Sequence, residues 1–108
     1  MSHPWQERTK LMTGEDGLCK LAGAVVAVVG LGGVGAYAAE MLARAGVGHM
    51  ILLDSDAVAP SNKNRQLLAL DSNMGRKKVE VMSERLRDIN PEIELTQICE
   101  YLTEGNVV

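Results

Sequence analysis

The chain is poor in aromatic residues and in cysteines. Its 108 residues include no Phe, one Trp and two Tyr, so a packed core has to be built from Val, Leu, Ile, Ala and Met. The two cysteines, Cys19 and Cys99, lack CxxC spacing and a neighbouring His. This pattern favours small core residues in a reducing compartment over a disulfide or a metal site. The net charge of −3 argues against strong nonspecific binding to nucleic acid, but it leaves room for a local basic patch.

Targeting signals are scarce as well. The opening residues, MSHPWQER, are polar and have no apolar stretch of the kind found in signal peptides, so we expect a cytoplasmic protein. Residues 21–39 carry no charge and approach the length of a membrane span. Their five glycines would weaken a helix badly. We therefore predict a strand, a turn and a helix here, and leave any membrane association to a segment after Val108.

The hydropathy pattern of the central part predicts a strand–helix–strand unit. Residues 24–30 form an uninterrupted, β-branched run, which is typical of a strand covered on both faces. A helix is predicted from Gly33 to about Ala45, and HMILLD forms a second strand that ends at Asp54. Together they match a βαβ unit of about thirty residues. The apolar residues that recur at helical spacing in this helix are Val34, Ala38, Met41, Leu42 and Ala45.

Two short helices are predicted before this unit, from HPWQERTKLM and from the glycine-bounded TGEDGLCKLAGA. Residues 1–23 are therefore interpreted as an N-terminal helical segment. Residues 24–108 are interpreted as a second unit, which contains the βαβ pattern.

The remaining residues predict one more helix and one more strand. Residues 55–66 are too rich in Pro, Asn and Ser for regular structure. A helix should run from about Gly75 to Asn90, and IELTQICEYL alternates as a third strand. The predicted fold class is α/β: a Rossmann-like three-layer nucleotide-binding fold with a parallel sheet, truncated after about the third strand. The stripe that this last helix should bury consists of Val79, Met82, Leu86 and Ile89.

A glycine-rich turn, GLGGVG, leaves the first predicted strand. Gly30, Gly32 and Gly35 satisfy G-x-G-x-x-G, and Gly33 adds a fourth glycine. Such glycines allow a tight turn, close approach of backbone to phosphate, and close packing of helix on strand. Asp54 ends the next strand, where a carboxylate can accept hydrogen bonds from a ribose. The pattern predicts nucleotide binding, with a ligand-free packing turn as the alternative, and it does not choose between NAD and ATP.

The polar residues after Asp54 favour ATP. A hydride-transfer enzyme needs no additional cations there, because backbone already holds the pyrophosphate of its cofactor. When a carboxylate attacks the α-phosphate of ATP, charge builds on the phosphoryl oxygens and on the departing pyrophosphate, and Arg and Lys stabilise it. Arg65 and Lys78 have the required charge. Taken singly each would be a solvated surface charge, so their joint spacing behind the glycine turn is what favours nucleotidyl transfer.

The combination of motifs resembles a known family. Residues 54–66 fit the pattern D-x-D-x-V-x-x-x-N-x-x-R-Q, and the chain also contains GLGGVG, GRKKVE and INPEIE. This pattern is similar to the adenylating enzymes related to ubiquitin-activating enzyme, which include the activators of molybdopterin synthase and of the thiamine-pathway sulfur carrier. Bacterial tRNA threonylcarbamoyladenosine dehydratases belong to the same group, and HPWQERT, NRQLLAL and VEVMSERLRDINPE look closest to that branch. The resemblance runs from about Arg8 to the C-terminus. It implies that residues 24–108 are the N-terminal half of an ATP-binding, Rossmann-like adenylation domain.

The resemblance implies roles for individual residues. Arg65 would be the main stabiliser of the transition state, and Lys78 would bind phosphates from the start of its helix, which makes these two the catalytic candidates. Arg8 would reach across a homodimer interface to the partner's ATP. Gln66 is interpreted as a residue that orders its loop. Loop ordering is also the alternative to ligand contact for Asp56. The nucleotide-binding set that the resemblance implies is Gly30, Gly32, Gly33, Gly35, Asp54, Asp56, Asn62, Arg65, Lys78 and Arg8.

Parts of the family's chemistry would lie after Val108. The aspartate that holds Mg²⁺ follows the fourth strand in this family, so no metal ligand is assigned to the present residues. The catalytic cysteine and the zinc-binding cysteine pairs of some branches would also come later. The fragment alone is therefore expected to be inactive.

Four functions stay open at this point. The first is dehydration of threonylcarbamoyladenosine in tRNA, with the tRNA bound through the rest of the protein. The second is adenylation of a ubiquitin-like sulfur carrier, with a cysteine desulfurase as a further partner. The third is an NAD-dependent oxidoreductase, in which the two cations are incidental. The fourth is a half-domain whose exposed sheet edge and apolar surface drive dimerisation.

Overall fold

The computed structural model describes residues 3–100 and shows strands and helices in alternation. Within this part of the chain, no helix is both long and apolar enough to span a membrane. Short 3-10 turns occupy Pro4–Gln6, Pro60–Asn62 and Asp71–Asn73. The main elements are α1 (Glu7–Ala22), β1 (Val25–Val29), α2 (Gly33–Ala45), β2 (His49–Leu53), α3 (Lys78–Ile89) and β3 (Glu94–Ile98).

The three strands form a parallel sheet in the order β1-β2-β3. Alternate strand residues such as Val28, Met50 and Leu52 are buried in one core with α2 and α3. Val25 and Val29 point to the other face and are 59% and 56% exposed. The α/β fold with a parallel sheet is confirmed, and the described residues contribute the sheet and one helical layer to the expected Rossmann-like arrangement.

Helix α2 packs on the sheet through small side chains. Ala36, Ala39 and Ala43 are completely buried. The larger apolar residues used to predict this helix lie mainly on its outer face, where Val34 is 83% and Met41 67% exposed. The helix itself is confirmed. Alanine faces the strands because a methyl group lets the helix axis come closer to the sheet than a branched side chain would.

Helix α3 begins at Lys78 rather than at Gly75. Gly75 has a φ of +82° and its N–H bonds to the carbonyl of Val58 at 2.8 Å, so the chain is still in a turn there. An isolated antiparallel bridge joins Ala57 to Lys77 just before the helix starts. The predicted stripe is confirmed, since its first three residues are at most 2% exposed and Ile89 packs against the core.

The structure differs from two expectations about residues near the ends of the chain. The third strand is shorter than predicted, and Tyr101 and Leu102 lie outside the described residues. Both cysteines are free, as expected, but they are exposed and do not lie in the core. Cys19 is exposed because α1 buries only Leu18 among its residues.

Helix α1 consists of two helical pieces. Gly14 has φ 72° and ψ 175°, which is not helical, so it separates residues 7–13 from residues 15–22. This division agrees with the two short helices predicted around the glycines. A residue with a side chain would be strained at this φ, which explains why the break falls on a glycine.

Candidate functional site

The glycine turn joins the end of β1 to the start of α2. Gly30 has a φ of +86°, in the left-handed region that suits glycine. A Cβ at Gly35 would lie 1.7 Å from the carbonyl oxygen of Gly30, and one at Gly32 would lie 3.1 Å from the Gln66 amide nitrogen. A Cβ at Gly33 would meet no atom within 4 Å. The fold itself therefore requires Gly30 and Gly35. A Cβ at Gly32 would need only a small shift of the Gln66 amide, and Gly33 borders open space.

The N-terminus of α2 follows directly from this turn. No side chain caps the helix at Gly32, so the first backbone N–H groups have no side-chain acceptor at the cap. Free N–H groups and the positive end of the helix dipole favour an anion at such a position. The open space at Gly33 lies at the same end, and together they fit a phosphate.

Asp54 ties the end of β2 to the glycine turn. Its side chain is largely buried, and Oδ2 accepts a hydrogen bond from the Leu31 N–H at 2.6 Å. Oδ1 accepts one from the Asp56 N–H at 2.7 Å. Asp54 therefore orders the glycine turn and the start of the following loop. A carboxylate has about four acceptor positions, so two bonds to backbone leave capacity for a ribose hydroxyl.

Lys78 belongs to the same network through backbone. It is the first residue of α3, and its N–H donates to the Asp56 carbonyl at 3.0 Å. A continuous series of hydrogen bonds therefore links Leu31, Asp54, Asp56 and Lys78. The Lys78 residue is only 5% exposed, and its side chain makes no hydrogen bond or ion pair with any residue in the range 3–100. Gln66 Oε1 is the one buried side-chain polar atom without a partner in residues 3–100, so the stem of Lys78 is buried while its ammonium group still reaches solvent. An anionic ligand could pair with the ammonium group there.

Arg65 and Asn62 order their own loop in this structure. Arg65 is exposed, and its Nη1 donates to the Ser61 carbonyl at 3.2 Å and to Asn64 Oδ1 at 3.1 Å. The Asn62 Oδ1 accepts the Ala59 N–H at 3.1 Å. The two side chains are therefore held by neighbours in sequence and not by the glycine turn. Their contacts with phosphate stay predictions.

Gln66 lies closer to the turn than its sequence interpretation suggested. Its amide packs beside Gly32, and within residues 3–100 its buried Oε1 has no hydrogen-bond partner. Sequence reasoning assigned it only to loop ordering. Its place directly after Arg65 in the motif was the available signal, but contact with a turn more than thirty positions away is a long-range feature that spacing does not show.

Arg8 lies far from the glycine turn of its own chain. The Gln6 amide packs against Gly46, which ends α2, with its nitrogen 2.8 Å from a Cβ placed there. The glycine turn is at the other end of this helix, whose 13 residues extend for about 20 Å. Arg8 follows Gln6 by two residues, which places the start of α1 near the end of α2 that is remote from the glycine turn. The role given to Arg8 stays a prediction.

A metal site is not formed among the residues described. In the range 3–100, no three His, Cys, Asp or Glu side chains are arranged so that they could hold a metal ion. The expectation that a Mg²⁺ ligand follows Val108 stays a prediction.

The sequence matches a known protein family. Residues 6–108 match the ThiF family. The chain belongs to the ThiF family. This match includes the glycine turn, the Asp54 network and α3.

Several relatives of this ThiF-family chain have curated names. It is 46% identical over 110 residues to tRNA threonylcarbamoyladenosine dehydratase of Escherichia coli, a match that covers 99% of the chain and 41% of the relative. The Bacillus subtilis dehydratase is 50% identical over 97 residues, covering 90% and 38%. The sulfur carrier protein ThiS adenylyltransferase of E. coli is 44% identical over 88 residues, covering 82% and 35%. The chain thus spans about two fifths of the length of these relatives.

A solved structure shows the same fold. The E. coli dehydratase in complex with ATP superposes with a TM-score of 0.91 at 46% identity, and the match covers 97% of this chain and 44% of that one. The parallel sheet and the glycine turn therefore belong to a fold that binds ATP in a close relative.

Proposed function

We propose that the full-length protein is an ATP-dependent adenylating enzyme that dehydrates threonylcarbamoyladenosine in tRNA. The observation that carries this proposal is the buried Lys78, which lacks a counter-ion within residues 3–100 and is linked by hydrogen bonds to Asp54 and the glycine turn. Two relatives named for this activity support the acceptor, and the ATP complex of one of them supports the nucleotide. The tRNA would bind through the rest of a cytoplasmic, homodimeric protein.

The chemistry assigns a task to each part of the site. Asp54 accepts the ribose hydroxyls, while the uncapped N–H groups of α2 and the space at Gly33 receive the phosphates. The substrate carboxylate attacks the α-phosphorus, which forms a P–O bond and releases pyrophosphate. Lys78 and Arg65 neutralise the charge that grows on the phosphoryl and leaving oxygens. Arg65 must first leave its contacts with Ser61 and Asn64.

The acyl adenylate is then consumed within one molecule. A nucleophile of the threonylcarbamoyl group attacks the activated carbonyl carbon, AMP departs with the bonding electrons, and a ring closes. The modified nucleoside has lost one water overall, while ATP has become AMP and pyrophosphate. Binding both reacting groups in one substrate favours this step, because no second molecule has to be positioned.

Lys78 gives the sharpest test. ATP–pyrophosphate exchange in the full-length protein, measured with threonylcarbamoyl-modified tRNA, should fall by at least about 100-fold in Lys78→Ala, since removing a preorganised stabiliser of developing charge has effects of this order. Lys77→Ala is the matched control, because Lys77 is the preceding residue and is exposed. Exchange that persists in Lys78→Ala at the level of the control would contradict the assignment.

Arg65 is tested in parallel against Lys63, an exposed cation two positions away that pairs with Asp71. Arg65→Ala should reduce exchange and Lys63→Ala should not. If both variants retained full exchange, Arg65 would belong only to its loop.

The second candidate keeps adenylation and changes the acceptor to a sulfur-carrier protein. The 44% identity to the ThiS adenylyltransferase favours it. Exchange that responds to a carrier with a Gly-Gly tail, and not to modified tRNA, would establish this alternative.

A further inference from the structure

The side-chain amide of Gln66 packs against the glycine turn. From the position that a Cβ would take on Gly32, the distances are 3.1 Å to Nε2, 3.4 Å to Cδ and 3.6 Å to Oε1. The whole amide group therefore borders Gly32, the residue that caps the N-terminus of α2. Because Gly32 has no side chain, the amide can lie directly beside the turn that faces the phosphate space.

Backbone hydrogen bonds and core packing hold Gln66 in this place. Its N–H donates to the Asn62 carbonyl at 2.9 Å, and its own carbonyl accepts the Ala69 N–H at 3.1 Å. Leu68 and Ala69 are both buried, so the chain just after Gln66 is part of the core. The amide therefore keeps its position beside the turn although it makes no hydrogen bond of its own.

The two ends of this amide have different surroundings. Oε1 is buried and has no hydrogen-bond partner within residues 3–100. Nε2 makes no hydrogen bond in this range either, but it is not buried. The amide thus buries its acceptor and presents its two N–H donors to solvent beside Gly32. A buried carbonyl without a partner costs free energy and is rare in native folds, so this orientation calls for a compensating role of the donors.

We propose that Gln66 binds the nucleotide directly, with Nε2 donating a hydrogen bond to a phosphate oxygen beside Gly32. Phosphate oxygens are acceptors, so they pair with Nε2, whereas an amide rotated by 180° would turn Oε1 toward them. The open space at Gly33 is one residue away, about 3.8 Å along the chain. The uncapped N–H groups of α2 lie at the same end of the helix. That the anion is a phosphate of ATP rests on the proposed function.

Gln66→Met separates this role from a structural one. Methionine is flexible and similar in length, and it removes the donor together with the unpaired buried acceptor. The variant should be at least as stable as the wild type, yet bind ATP about 10-fold more weakly, because a hydrogen bond to a charged group is lost. Its affinity for adenosine, which has no phosphate, should be unchanged. Urea unfolding and titration calorimetry of the full-length protein measure these quantities.

Gln97→Met is the matched control. The Gln97 Nε2 donates to Ser83 Oγ at 2.9 Å, so this amide already has a partner within the fold. The variant should lose stability and keep the wild-type affinity for ATP, which is the reverse of Gln66→Met. Gln66→Glu keeps the shape of the side chain but adds a negative charge, so it should bind ATP more weakly than Gln66→Met.

Equal affinity of Gln66→Met and the wild type for ATP would overturn the contact. A parallel loss of stability and of adenosine affinity in this variant would also overturn it, because Gln66 would then only order its loop. A wild type that binds ATP but shows no exchange with modified tRNA would contradict the proposed function. In that case the ATP and adenosine affinities of the Gln66 variants would still decide the contact.

Discussion

The two ends of the parallel sheet differ in how far they bury charged side chains. At the amino end, His3 and Glu92 are 3.3 Å apart and His49 and Glu94 are 4.0 Å apart, around an open cavity of about 380 Å³. Both glutamates are more than 70% exposed, and exposed pairs contribute little to stability. At the carboxyl end, Asp54 is buried and held by backbone N–H groups, and the lysine that starts α3 is buried too. Of these two ends, only the carboxyl end places charged residues in buried positions, and it is the end where a ligand can compensate for their burial.

The glycine turn gives the largest expected effect. Gly35→Ala should destabilise the protein by about 4 kcal/mol, because its methyl group would overlap the Gly30 carbonyl and the backbone would have to move. Thermal or denaturant unfolding measures this loss. Gly33→Ala is the matched control, since its methyl group meets no atom of the fold. It should unfold like the wild type and bind ATP at least about ten times more weakly, since the methyl group would enter the phosphate space. Equal stability of the two alanine variants would break the contrast.

Asp54 gives the next effect. Asp54→Ala leaves the Leu31 and Asp56 N–H groups without their acceptor, so we expect a loss of about 2–3 kcal/mol. Glu92→Ala at the amino end should change stability by less than about 0.5 kcal/mol. Urea unfolding of the two variants measures both values. A loss at Glu92 as large as that at Asp54 would show that the ends are equivalent.

Apart from the control at Glu92, the smallest effect is expected between the ends, where Glu40 of α2 meets Arg85 of α3. The hydrogen bond from Arg85 lowers the pKa of Glu40, and burial opposes it in part. A carboxyl with a lowered pKa stabilises the fold above its unfolded pKa of about 4.3, and this contribution is lost as the pH falls through the lower folded pKa. Glu40→Gln should therefore lose about 1 kcal/mol at neutral pH and almost nothing at strongly acid pH. A double-mutant cycle with Arg85→Gln isolates the pair. A deficit independent of pH would assign the effect to packing.

The sequence predicted the parts of the site that depend on local geometry. The glycine spacing and the acid after the second strand are consequences of one βαβ unit, so short-range pattern was sufficient. Lys78 was found by its spacing behind the turn, but its burial was not foreseen, because burial depends on how α3 packs. Arg65 and Lys78 looked equivalent as charges, and the structure distinguishes them as exposed and buried.

The outer face of α2 shows where pattern alone is insufficient. Helical periodicity identified the helix, but alanine and the larger apolar residues alternate around it, so hydropathy did not indicate which face meets the sheet. Packing distance decides this, and alanine allows the closer approach. Gln66 was underestimated for a similar reason, since its neighbour Gly32 is remote in sequence.

The alanine face of α2 has a mechanical consequence. A methyl group has no rotamers with which to adjust, and close-packed interiors transmit strain instead of absorbing it. A force on the outer face of α2 is therefore expected to shift the helix as a rigid body against the strands. Its uncapped N-terminus would shift with it. A molecule bound to the outer face of α2 would therefore also change the direction of the backbone N–H groups at the N-terminus of this helix.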